Sequence, residues 1–455
     1  MKCSRLGPVK FLASSLLIMA AIARSAGADT AIVPAPAQKP AWLGDISLGL
    51  SETYDDNVFV SGVASKYLPA SYVIPPGSVA ALEGQASWVT TVSPKIGVNF
   101  IPLLGQQDNW SVLSLAYAPD FVIYHEQSSE SYDAHRVIAA AKGKWDNFSV
   151  SADNTFSYVN GSSVGPFYPD ALFNVYMNSS VRERREQLQD KATVSCQYDW
   201  QQFFVRPTAA FTYYDLMTAL YDISGYQNYA DRYDVNGGAD VGYRVSKQLA
   251  FTVGYRYGHQ YQQQFDFSPY SASSDYQRIL FGVEGKLWKW LDVKFLGGPD
   301  FRDYPGNTAT HITPVNDHHP VKYYGEALIT ATLTPKDSIT FKYKQWQWVS
   351  SVGKVPYYDS TFDLSYHRQF TQKLGFDLGG KILSSDYTSA NLASCHRNDW
   401  DYVVSTGCSY VINPHLTVNL AYTLELGRNA VDDLANEQTR EFERNLVTLG
   451  ARFKF

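Results

Sequence analysis

Methionine and cysteine are scarce in this 455-residue chain, four of each, and charged residues make up only 18% of it. Beyond the N-terminal segment the cysteines are Cys196, Cys395 and Cys408, an odd number that leaves at least one unpaired and excludes a disulfide scaffold. No run of about 18 apolar residues follows the N-terminal segment, so no transmembrane helix is expected. Phosphate-cradling glycine loops and zinc-type cysteine spacings are missing as well. The balance of 38 Lys+Arg against 44 Asp+Glu gives nucleic acid no basic surface to bind. Aromatic residues, by contrast, are plentiful: 33 Tyr, 24 Phe and 10 Trp accompany 31 Gly. That composition suits pleated sheet, where flat side chains pack across strands.

The N-terminus reads as an export signal. Lys2, Arg5 and Lys10 precede a short apolar core, Phe11 to Ile22, and Ala26-Gly27-Ala28 supplies small residues for cleavage. Residues 1–28 are therefore expected to be removed, residues 29–44, with Pro34, Pro36 and Pro40, to form a flexible periplasmic lead-in, and residues 45–455 to form one domain.

The remainder alternates with a period of two. Leu249, Phe251, Val253, Tyr255 and Tyr257 share one face, with Ala250, Thr252, Gly254, Arg256 and Gly258 on the other. Leu416–Leu426 and Phe203–Tyr213 behave alike, and helical spacing fits neither. A soluble sheet would bury the apolar face in a core, whereas a membrane barrel turns it to lipid and keeps the polar face wet. Segments of 12–16 residues exceed soluble strands of about five or six, and short connections alternate with long ones. We therefore expect an all-β fold: a single antiparallel transmembrane β-barrel of about 18 strands, with short periplasmic turns and long extracellular loops. The strands are expected near 46–54, 87–101, 110–126, 135–145, 148–159, 184–200, 203–217, 229–245, 249–263, 274–288, 291–304, 321–334, 338–351, 357–370, 373–388, 399–412, 416–429 and 440–455. Cys395 would then sit in an outer loop and Cys408 deep in a strand, about 25–30 Å apart along it, which disfavours a bridge between them.

Two short motifs sharpen this reading. The C-terminal Thr448-Leu449-Gly450-Ala451-Arg452-Phe453-Lys454-Phe455 resembles the assembly signal of outer-membrane barrels, with Thr448, Gly450, Phe453 and Phe455 at its defining positions. In the first strand, Tyr54-Asp55-Asp56-Asn57-Val58-Phe59 resembles the Tyr-x-Asp-Asn-Val/Ile-Phe segment of the β-barrel porin 2 family of bacterial outer-membrane proteins. That resemblance implies an integral outer-membrane location and an association with exopolysaccharide export. The same Asp55-Asp56-Asn57 can be read as a cation site at the strand end or as an ordinary turn.

Taking the polar parity as inward, the lumen candidates are Lys95, Lys142, Lys144, Arg206, Arg244, Arg256, Arg278, Lys294, Arg302, Lys381 and Arg452, with acidic Asp153, Asp240, Glu284, Asp363 and Glu425. Lys191, Lys342 and Lys344 share that parity. Bases outnumber acids here, so the lumen either focuses anions or carries a bracing charge ladder. Tyr54, Tyr124, Tyr158, Tyr257, Trp288, Trp290, Trp346, Trp348 and Trp400 lie near strand ends, as interface girdles do. Trp288, and with it Trp346 and Trp348, has inward parity and offers the alternative of stacking on sugar rings as a greasy track.

Catalysis is not expected. Asp363, Ser365 and His367 share a strand face, but Ser365 lies between the other two and Asp363 sits about 13 Å from His367, too far to orient it. His311, Asp317, His318 and His319 fall in one long loop, where solvated side chains are the ordinary reading and a metal the alternative. No cofactor is expected. The expected function is an outer-membrane channel passing surface or secreted polysaccharide, with a small-solute porin of mild anion preference, or a closed structural, adhesion or receptor barrel, as alternatives. Expected partners are outer-membrane lipid and lipopolysaccharide, the barrel-assembly machinery, and a polysaccharide with its periplasmic export complex.

Overall fold

The computed structural model describes residues 39–60, 79–80, 85–104, 109–163, 166–167, 184–221, 228–266, 272–304, 318–349, 351, 356–387, 397–431 and 442–455. The expected signal segment lies outside them. Eighteen strands form the wall. They are β1 Leu43–Asp55, β2 Ser87–Asn99, β3 Trp110–Tyr117 continued by Asp120–Tyr124, β4 Tyr132–Trp145, β5 Phe148–Asn160 and β6 Gln187–Trp200. Next come β7 Phe203–Asp215, β8 Arg232–Arg244, β9 Leu249–Gln262, β10 Ser274–Trp288, β11 Leu291–Asp303 and β12 Val321–Thr334. The last are β13 Asp337–Val349, β14 Pro356–Gln369, β15 Leu374–Tyr387, β16 Arg397–Asn413, β17 Leu416–Val431 and β18 Phe442–Lys454.

Each strand pairs antiparallel with its sequence neighbours, and β1 pairs with β18 from Ser47↔Lys454 to Asp55↔Leu446, which closes the barrel. Short turns such as Asp146-Asn147 and Gln201-Gln202 join strands at the periplasmic end, Asp146 and Gln201 both taking positive φ. The long connections stand at the other end. No helix is long and apolar enough to cross a membrane among the described residues.

Alternation sorts the side chains. On β9, Phe251, Val253, Tyr255 and Tyr257 are about half exposed on the outer face, while Ala250, Thr252 and Arg256 are buried on the inner one. This is the pattern of a wall with hydrocarbon outside, where apolar exposure costs nothing. Tyr54 against Trp88 and Trp400 against Tyr402 are outward aromatic pairs close to the extracellular ends, as the girdle reading expects. Tyr124 departs from it. Its ring is inward and buried with Val58, Val89 and Val122.

Two local departures from the expected strands have clear causes. The stretch expected as one strand over 110–126 is interrupted at Ala118-Pro119, since proline offers no N–H to the ladder. In β10, Gly285 adopts φ +123, where an added Cβ would lie 1.8 Å from the Gln248 carbonyl. The adjacent register shift between Lys286 and Trp288 pairs Trp288 with Leu291. Trp288 therefore does not face inward; 55% exposed, it stacks on Trp290 at 5.8 Å. A one-residue slip reverses every face it reaches.

The two faces should respond oppositely to charge. Val253→Lys, on the outer face, is expected to weaken barrel folding by about 2–4 kcal/mol if near mid-membrane, and Thr423→Lys, on the inner face of β17, to be tolerated. Heat-modifiable electrophoretic mobility and denaturant titration in detergent check the contrast.

Candidate functional site

The inner wall carries its charges in two different arrangements. Across β6–β11 the arginines are engaged. Arg206 on β7 donates to Asp240 on β8 at 3.1 Å and grips Glu284 on β10 with two bonds of 2.9 Å, reaching past β8 and β9 as only an inward side chain can. Arg256 bonds the other Asp240 oxygen at 2.7 Å, and Arg244 bonds Asp199 at 2.6 Å. Arg278 and Arg302 share one oxygen of Asp300, at 3.0 and 2.9 Å, and all three are buried. Arg206, Arg244, Arg256, Arg278 and Arg302 are thus all paired with carboxylates. They stiffen the wall and leave little free positive charge.

The lysines are placed differently. Lys142 and Lys144 on β4, Lys191 on β6, Lys294 on β11, Lys342 and Lys344 on β13 and Lys381 on β15 have inward parity and form no ion pair among the described residues. Asp363 stands in register between Lys342 and Lys381, so two bases flank one acid on adjacent strands. Lys95 pairs with Asp45 at 3.1 Å, and Asp153 accepts from Thr193 at 2.8 Å. Arg452 faces inward in register with Gly49 and Thr417. Near the periplasmic end Arg244, Glu284, Asp292 and Lys294 surround a cavity of about 420 Å³ beside Phe204.

The lumen is crossed near its mouth by a feature that alternation alone does not reveal. Pairing of β13 with β12 ends at Gly325↔Gln345, yet β13 and β14 remain paired to Val349↔Pro356. The hairpin therefore leaves the wall at Gln345 and leans inward as a strap. The wall at β8 and β9 holds its backbone. Gln260 on β9 donates to the Gln347 carbonyl at 3.0 Å, Arg232 on β8 to the Val349 carbonyl at 2.8 Å, and the Ala230 N–H to the Ser351 carbonyl at 2.5 Å. Arg302 reaches the Gln347 carbonyl as well, at 3.4 Å. Rings and cations complete the bridge: Lys344 lies 3.9 Å from the Trp346 ring, Trp346 stacks on Trp348 at 4.6 Å, and Arg232 lies between Trp348 and Tyr214 at 5.4 and 5.0 Å. Lys191 caps Tyr214 from β6 at 5.3 Å. Such contacts contribute roughly 0.5–2 kcal/mol each, more where water is excluded. Because Trp346 carries Trp348 on one side and the Lys344 ammonium against its ring, neither tryptophan presents the open face a sugar ring would need.

Titratable groups around the strap follow their surroundings. Burial pushes the Tyr304 phenol, one residue beyond β11, up to about 12, and it accepts a hydrogen bond from the Gln347 amide. Burial also raises the Asp231 carboxyl, against the Leu216 N–H that bonds it at 2.8 Å and with added repulsion from Asp215.

The first-strand motif does something else. Asp55 receives Arg444 of β18 on both oxygens, at 3.0 and 2.7 Å, and Arg444 also reaches Glu425 on β17 at 3.3 Å. Asp56 accepts from the backbone and side chain of Asn445, at 2.7 and 2.8 Å, and Asn57 donates to the Glu443 carbonyl at 2.9 Å. All three side chains thus bind the last strand, and the cation reading of Asp55 gives way to a clasp over the barrel seam. Phe59 lies under the Arg184 guanidinium at 5.5 Å, while Arg184 pairs with Glu130. At the C-terminal motif, Thr448 bonds Thr53 at 2.9 Å, Gly450 faces Asn419, Phe453 pairs with Leu48, and Phe455 is exposed.

The remaining candidates stay apart. His367 bonds Asp377 on the next strand at 2.7 Å, not Asp363, and Ser365 donates to the Thr340 carbonyl. His318 contacts the Tyr304 carbonyl and His319 pairs with Asp303, while His311, Asp317 and Cys395 lie outside the described residues. No group of three or more His, Cys, Asp or Glu suited to a metal occurs among the described residues. Cys196 and Cys408 are free thiols, both of outward parity.

No family profile and no curated protein matches the chain, so the resemblance to the β-barrel porin 2 family rests on its one motif. Solved barrels are similar at low identity. OpdK of Pseudomonas aeruginosa with vanillate is 11% identical over 90% of this chain and 98% of its own, with a TM-score of 0.41. OccK2 (OpdF) of the same organism with glucuronate gives 10%, 90%, 98% and 0.42. The siderophore receptor PirA of Acinetobacter baumannii gives 8%, 91%, 81% and 0.39.

Neutralising one partner of the clasp leaves the other charge buried, at a cost of about 3–5 kcal/mol. Arg444→Met is expected to lower the temperature at which the folded band is lost on semi-native gels. Asp55→Asn combined with Arg444→Met should recover part of that loss, and additive effects would deny the coupling.

Proposed function

We propose that this protein is an outer-membrane channel for small hydrophilic solutes, with a mild preference for anions. The observation that supports it is the strap. A polar lumen narrowed by a tethered hairpin admits small molecules and sieves large ones, as constrictions in channels do. Passage of a surface polysaccharide, the first expectation from the sequence, asks for a clear bore and open aromatic faces, and the strap and the occupied tryptophans favour neither. The preference for anions is assigned to the lysines without ion pairs, above all Lys342 and Lys381, because a paired arginine presents little net charge to a passing ion.

Reversal potentials across a salt gradient in planar bilayers test this. The wild-type protein is expected to favour chloride over potassium, and Lys342→Gln with Lys381→Gln to reduce that preference. Arg206→Gln combined with Glu284→Gln removes one charge of each sign and should leave selectivity nearly unchanged. A wild-type channel without anion preference would overturn the lysine assignment.

A further inference from the structure

The backbone of the strap has two places to go. β12 begins at Val321, and its residues Val321–Tyr324 pair only with β11 among the described residues, so four residues of its other edge have no ladder partner. Unpaired strand edges are unfavourable in or near a membrane. Here the edge is covered sparingly: the Tyr358 hydroxyl donates to the Tyr323 carbonyl.

The register says what would fit. From Gly325↔Gln345 the β12–β13 ladder extends without a bulge to Tyr324 opposite Trp346, Tyr323 opposite Gln347, Lys322 opposite Trp348 and Val321 opposite Val349. Face parity is kept along that extension. Tyr324, Lys322, Trp346 and Trp348 would all be inward, and Val321, Tyr323, Gln347 and Val349 outward. In the observed arrangement the same stretch is held elsewhere, its carbonyls at Gln347, Val349 and Ser351 taken by Gln260, Arg232 and the Ala230 N–H. One backbone segment thus faces two mutually exclusive sets of partners.

We propose that the strap is a two-position gate: docked across the lumen on β8, β9 and β11, as observed, or zipped onto the free edge of β12, where it becomes wall and widens the bore. The proposal rests on the channel reading above. Docking exchanges ladder bonds for side-chain grips and the stack of Trp346, Trp348 and Arg232; zipping does the reverse. Both positions satisfy much of the same backbone, and that is the condition for a small difference in free energy between two discrete arrangements.

The test traps the second position. In the background Cys196→Ser, Cys395→Ser, Cys408→Ser, the pair Val321→Cys and Val349→Cys would be directly opposite on adjacent strands when zipped, a separation of about 4.5–5.5 Å that suits a disulfide. When docked, the Val349 carbonyl is instead held at Arg232 on β8, four strands from β12. Oxidation is expected to form the bond in the folded barrel and to raise single-channel conductance, and reduction to restore the original level. Independently, Arg232→Met with Gln260→Leu weakens docking and should lengthen the time spent at the larger conductance. A folded, conducting barrel that forms no disulfide, or forms it without a change in conductance, overturns the gate and leaves the channel reading standing. A folded barrel that conducts in neither redox state overturns both.

Discussion

Closure of the sheet is the constraint from which the rest of this structure follows. In hydrocarbon every backbone N–H and C=O needs an internal partner, so the first strand must meet the last. β1 and β18 do so over nine residue pairs, from Ser47↔Lys454 to Asp55↔Leu446. Asp55, Asp56 and Asn57 then bolt the outer end of that seam to residues almost four hundred positions away in sequence. Once the cylinder is shut, side-chain parity acquires a physical meaning, and the outer aromatic face and inner polar face need no further explanation.

Inside the cylinder, arginine and lysine divide the work. Guanidinium forks hold two carboxylates at once, as Arg206 does with Asp240 and Glu284, and they concentrate where the wall beneath the strap is densely packed. Lysines, with a compact charge on a flexible stem, stand mostly on the freer wall of β4–β6 and β13–β15, Lys294 on β11 being the exception among those named. The resulting lumen is lopsided: braced and crowded on one side, charged and accessible on the other.

Much of this was legible in the sequence because it depends on local pattern. Period-two alternation placed all eighteen strands. Trp288 was misplaced because parity does not survive a bulge, and the glycine at 285 that permits one looks like any other. Tyr124 was misplaced because it shares the inward parity of Val122 and packs with Val58 and Val89 instead of facing lipid. The clasp and the strap escaped for a different reason: their partners are distant in sequence, Asp55 with Arg444 and Gln347 with Gln260, and no periodicity links them. Strand length gives no signal either, since the start of β12 at Val321 and the end of β13 at Val349 match in register and only the observed pairing stops short at Gly325↔Gln345.

The way the strap is grasped has a bearing on redesign of the mouth. At Val349 and Ser351 the wall's hydrogen bonds go to main-chain oxygen, so those bonds do not depend on which side chain stands there. Arg232 enjoys no such latitude, since it serves a carbonyl and two aromatic rings together. Both of those side chains are nonetheless enclosed, Val349 at 0% and Ser351 at 1% exposure, so a redesigned hairpin keeps its anchorage only with substitutes of matching size at the two positions.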